Sequence, residues 1–101
     1  MKVYNKLVRD EIPAIIKTNG EKPVTRVLND TDYVAELIKK LGEEYGEFKE
    51  ALSIEELADI QEVILALADV LASREELEAV RSKKAAQRGA FTRKIFLEAT
   101  E

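Results

Sequence analysis

The chain of 101 residues contains no cysteine and no histidine. Without cysteine there is no disulfide. Without either residue, a zinc site of the usual nitrogen and sulfur type is excluded, and so is imidazole acid–base catalysis. Any metal must then take hard oxygen ligands, which favours Mg²⁺ or Mn²⁺. No apolar run reaches membrane-spanning length without a charge, and the opening MKVYNKLVRDEIP lacks a signal peptide's apolar stretch. The expectation is a cytoplasmic protein with no membrane association. There is also no repeat, no linker and no polar low-complexity tract, and 46% of the residues are hydrophobic, so residues 1–101 are expected to fold as one small domain. A chain this short buries only about two thirds of its unfolded surface, which makes a partner subunit a natural source of added stability.

The net charge of −4 argues against bulk nucleic-acid binding. The charges are nevertheless segregated. Residues 43–62 hold eight carboxylates (Glu43, Glu44, Glu47, Glu50, Glu55, Glu56, Asp59, Glu62) against a single base, Lys49. Residues 79–97 hold Arg81, Lys83, Lys84, Arg88, Arg93 and Lys94 and no acid.

Hydrophobic periodicity and capping signals predict an all-α, antiparallel bundle of about four helices with a small two-stranded β appendage. Asp10 as N-cap, Pro13 in the first turn and Gly20 past the end frame a helix over roughly 10–18. Asn29, Asp30 and Thr31 cap a second helix that reaches about Leu52. Its residues Val34, Leu37, Ile38, Leu41, Tyr45, Phe48 and Leu52 form one apolar stripe. Gly42 and Gly46 lie one turn apart on another side, where they allow another backbone or a substrate to come close. Ser53-Ile54-Glu55-Glu56 is a capping box that opens a third helix, ending near Leu71 or Ala72; it is apolar nearly all round from Val63 to Leu71, as a buried central helix would be. Ser73-Arg74-Glu75-Glu76 opens a fourth helix that stops near Gly89. The β-branched stretch 22–28 and the segment 91–97 are expected to be extended and to pair.

Helix geometry groups the carboxylates. On the second helix Glu44 sits beside the apolar stripe, Glu47 about 60° further round and Glu43 about 40° beyond that. On the third, Glu56, Asp59 and Glu62 follow at i+3, with Asp69 one heptad after Glu62. The short break at Leu52–Ser53 makes the two helices antiparallel neighbours, so Glu44 and Glu47 face Glu56 and Asp59. Four carboxylates in a partly buried groove repel one another unless a cation lies among them. Mg²⁺ would remove that penalty, bind substrate phosphates and lower the pKa of a bound water, with Glu43 able to align that water. Either cluster alone fits a solvated helix face, and Glu56 also has a structural use as the N3 residue of its capping box.

EEYGE followed by EELAD resembles the EExxE…ExxD signature of the MazG-like, all-α NTP pyrophosphatase superfamily. The opening YNKLVRDEIP and the late RGAF at 88–91 are similar to segments of its short house-cleaning branch, often called phosphoribosyl-ATP pyrophosphohydrolase-like. The resemblance covers nearly the whole chain. It implies Mg²⁺ ligation by Glu44, Glu47, Glu56 and Asp59, water positioning by Glu43, cleavage of a nucleoside triphosphate to monophosphate and pyrophosphate, and a homodimer or homotetramer. The chain departs from the pattern in two places. Only eight residues separate Glu47 from Glu56, and Ala90 stands where the RGGF motif has glycine. Counter-charges for the substrate phosphates are expected among Lys6, Arg9, Lys83, Lys84, Arg88, Arg93 and Lys94. Tyr4, Tyr33 and Tyr45 are candidates for base stacking, with packing the stronger alternative. Two other functions compete: phosphoribosyl-ATP hydrolysis in histidine biosynthesis, and a non-catalytic helical oligomerisation module that keeps the motif as a charged face.

Overall fold

In a computed structural model covering all residues 1–101, the chain is all-helical, with α1 at Ile12–Thr18, α2 at Asp30–Glu50, α3 at Ile54–Leu71 and α4 at Arg74–Arg88. Capping side chains set three of the four helix starts. Asn29 accepts from the Asp32 N–H at 2.8 Å, Ser53 from Glu56 at 3.2 Å and Ser73 from Glu76 at 3.0 Å, each satisfying a backbone donor the helix cannot. Gly89, at φ 85°, ends α4 in the left-handed region that glycine occupies without strain.

The start of α1 differs from expectation. Glu11, not Asp10, holds the cap position, and it makes no side-chain cap bond. The chain has already turned there, with the Ile12 N–H donating to the Arg9 carbonyl at 3.1 Å, so Asp10 lies inside a turn that precedes the helix.

Residues 51–53 fold α3 back along α2, and the seam between them is the core. Leu37 from α2 and Val63 and Ala68 from α3 are its most buried apolar side chains, with Val34, Leu41, Phe48, Ile60 and Leu67 half-buried. No other helix pair shares a seam of that extent; α4 meets α3 only lightly and buries no residue of its own. α3 is therefore not the buried central helix that its sequence suggests. Ile54, Leu57, Ile64 and Leu71 remain on its surface because no further element of the chain covers them.

The β appendage is also absent. Residues 22–28 and 91–97 contain no strand, and no backbone hydrogen bond joins them. Val24 and Val27 are almost fully exposed. β-branched residues favour an extended backbone, but two short strands without an apolar surface beneath them do not hold together in water. No backbone of the chain itself uses the space at the two glycines: a Cβ at Gly42 or Gly46 would meet nothing within 4 Å.

The molecule is elongated, 61 × 31 × 23 Å, with a radius of gyration of 17.9 Å; a compact domain of this length has about 13 Å.

Candidate metal centre

The acidic site lies where the α2–α3 hairpin meets the N-terminal segment. One carboxylate oxygen each from Glu44, Glu56 and Asp59 lie within 4.8 Å of one another and could hold a metal ion. The helical register accounts for this: Glu44 sits beside the buried stripe of α2, and Glu56 and Asp59, three residues apart, share one side of α3.

Glu44 is the one charged residue in the core, only 8% exposed. Its Oε2 is buried without a hydrogen-bond partner, and so is Oε2 of Glu56. The second of these answers the question raised by the capping box. The backbone of Glu56 donates to Ser53 Oγ, but its carboxylate does not return the bond to Ser53; it is left facing the other acids. An orphaned carboxylate oxygen in the interior costs free energy. Two of them in a hard-oxygen cluster match the demand of Mg²⁺ or Mn²⁺.

The electrostatics agree. Burial, then the neighbouring charge of Glu47, pushes the Glu44 carboxyl above its ordinary value, with Lys40 pulling the other way. Glu56 is raised by the same causes in the same order, loss of solvation and then Glu47. Glu47 thus influences both groups and lines the groove, although it stays outside the three-oxygen cluster.

Three cations surround the acids. Arg9 Nη2 reaches Asp59 Oδ1 at 2.7 Å across fifty residues of sequence. Lys40 Nζ lies 3.5 Å from Glu44 and 3.8 Å from Glu43. Lys6 lines the same groove, which encloses about 300 Å³. Of the expected counter-charges, Lys6 and Arg9 thus lie in the acidic groove. Lys40 was not anticipated, although its i,i+3 and i,i+4 spacing to Glu43 and Glu44 is plain in the sequence.

The other expected residues are not gathered in. Glu43 turns toward Lys40 on the flank rather than lining the groove. Lys83, Lys84, Arg88 and Arg93 lie on α4 or beyond it; none lines the groove or pairs with a carboxylate. Asp69, at the far end of the acidic stripe, instead ties the α3–α4 corner to Arg74 at 3.1 Å. Tyr4 and Tyr45 are exposed beneath lysines, with Lys2 and Lys49 at 5.3 and 5.5 Å from their rings, while Tyr33 is half-buried.

Over 45 residues the chain is 49% identical to an uncharacterized protein of Mycolicibacterium smegmatis (strain ATCC 700084 / mc(2)155). The match covers 45% of this chain and 46% of that protein, just under half of each. No protein family and no solved structure matches the chain. No helix is long and apolar enough to cross a membrane.

Proposed function

We propose that the chain is a Mg²⁺-dependent nucleotide pyrophosphohydrolase, acting as a homo-oligomer and cleaving non-canonical nucleoside triphosphates to nucleoside monophosphate and pyrophosphate. The observation that carries this reading is the cluster of Glu44, Glu56 and Asp59 carboxylates around the buried side chain of Glu44, whose Oε2 has no partner. Those three side chains would hold the cation, which when bound supplies charge for phosphate oxygens and a more acidic water. Glu47, at the lip of the groove, is better situated than Glu43 to orient that water. Lys6 and Arg9 would take substrate phosphate, Arg9 exchanging its carboxylate partner Asp59 for the incoming anion. The resemblance of EEYGE…EELAD and of both terminal segments to the MazG-like superfamily supports the choice of reaction.

The test is a panel of nucleoside triphosphates, with phosphoribosyl-ATP included, incubated with Mg²⁺ and resolved by product. Monophosphate plus pyrophosphate is expected, and Glu47→Gln should abolish it in a folded protein. Diphosphate plus orthophosphate, or no turnover by folded protein, refutes the proposal. Preference for phosphoribosyl-ATP would move the protein to histidine biosynthesis.

One observation favours a second, non-catalytic reading as a helical binding module: the acids already have internal cations, Arg9 on Asp59 and Lys40 on Glu44. Under that reading Mg²⁺ does not raise the melting temperature, because only a ligand of the native state stabilises it.

A further inference from the structure

Charge in the acidic groove is nearly balanced. Glu44, Glu47 and Asp59 line it, and so do Lys6, Arg9 and Lys40. Glu56, whose carboxylate belongs to the same cluster, leaves one negative charge in excess. A divalent cation entering alone therefore meets two ammonium groups and a guanidinium that repel it. Those bases do not satisfy the acids, however. Glu44 is only 8% exposed, and the Oε2 atoms of Glu44 and Glu56 are buried without a hydrogen-bond partner. A cation that arrives with a polyanion resolves both difficulties, because the acids take the ion and the bases take the phosphates.

The bases are not held equally. Lys40 belongs to α2, and one turn of that helix keeps it beside Glu44. Arg9 comes from a segment with much less to fix it. α1 packs against no other helix, and no backbone hydrogen bond joins residues 1–28 to the α2–α3 hairpin. The contact of Arg9 with Asp59 is the one ion pair and the one side-chain hydrogen bond between them. The Arg9 side chain is 56% exposed, so the pair is weak and open to exchange. A phosphate offers the guanidinium a bidentate partner in place of the single contact from Nη2 to Oδ1.

We propose that Arg9 makes cation binding at this site conditional on phosphate. Paired with Asp59 it opposes a free divalent ion; drawn onto a substrate phosphate it releases that carboxylate to the ion. The polyphosphate is the substrate class of the pyrophosphohydrolase reading, on which this coupling rests. Ion and polyphosphate then raise each other's affinity by the same factor, as linkage requires. The sign of the effect separates this role from a structural one. A guanidinium that only held the N-terminal segment against α3 would, once removed, weaken both ligands together. One that exchanges partners opposes the free ion and favours the ion bound to polyphosphate.

Titration calorimetry with Mn²⁺, alone and premixed with inorganic tripolyphosphate, compares the wild-type chain with Arg9→Gln. The variant should bind Mn²⁺ alone at least threefold more tightly and the Mn²⁺–tripolyphosphate complex at least threefold more weakly. Chelation in solution is common to both proteins and cancels from the comparison. Arg9→Lys keeps the charge and should bind Mn²⁺ alone as wild type does. Lys22→Gln removes a charge that pairs with no carboxylate, and should leave both affinities unchanged. Circular dichroism verifies that the helices are intact in each variant. Unchanged affinities in Arg9→Gln, two shifts of the same sign, or no Mn²⁺ binding by either protein overturns the proposal. Opposite shifts without release of monophosphate from any triphosphate would refute hydrolysis and leave the coupling standing. Turnover without opposite shifts would do the reverse.

Discussion

Glu44→Gln keeps the volume of the side chain and removes one negative charge from the groove, so its effect reports on electrostatics and not on packing. The three oxygens lie no more than 4.8 Å apart. At that distance the Glu44–Asp59 repulsion is about 0.9 kcal/mol at the dielectric of water and about 3.5 kcal/mol at an effective dielectric of 20. The Asp59 side chain is 39% exposed, so solvent screening brings the value toward the lower figure. The variant gives up the 3.5 Å contact with Lys40, an i,i+4 pair of about 0.2–0.5 kcal/mol. It gains an amide that can donate to the neighbouring carboxylates. The net expectation, without metal, is a stabilisation of about 1 kcal/mol, or about 4–8 °C in a domain of this length. Thermal melts followed by circular dichroism, in chelator and in millimolar Mg²⁺, measure both halves of the argument. Wild type should melt higher with Mg²⁺ and Glu44→Gln should not respond. A variant less stable than wild type in chelator, or one that responds to Mg²⁺ as wild type does, would refute the reasoning.

Three other outcomes follow from the same geometry. Glu44 and Glu56 are raised above the ordinary carboxylate value of 4.5 in the folded chain. Their contribution is therefore fully present below about pH 4.5 and is lost as pH climbs through the raised values. Urea midpoints in chelator should fall across that window, and Mg²⁺ should reverse the fall. Arg9→Ala removes an exposed ion pair, the Arg9 side chain being 56% exposed, so the loss in chelator should be no more than about 1 kcal/mol; its larger effect should be a raised KM for triphosphate if the hydrolase reading holds. Gly42→Ala should stabilise α2 by roughly 0.5–1 kcal/mol, because a Cβ there meets nothing within 4 Å. A destabilised Gly42→Ala, measured by urea denaturation, would reveal an approach from another molecule.

α2, α3 and α4 were legible because their starts rest on a local signal. Asn29, Ser53 and Ser73 cap with hydrogen bonds that depend only on residues three positions away. Asp10 misled because a cap also needs the chain to enter the helix at that residue, and the Arg9–Ile12 turn moves the entry downstream. The β pairing misled for a different reason. Extended propensity is local, whereas pairing needs a surface to rest on, and the helical chain offers residues 22–28 none.

Within the site, legibility follows the same divide. Register alone placed Glu44 near the seam and aligned Glu56 with Asp59, since spacing on a helix dictates direction. It could not reveal Arg9, whose contact with Asp59 spans fifty residues. Nor could composition assign the basic segment 79–97 to a target. An excess of positive charge implies an acidic counterpart, but not whether that counterpart belongs to the same molecule. Here Arg93 and Lys94 form no ion pair within the chain, and the apolar residues on either side of them are uncovered.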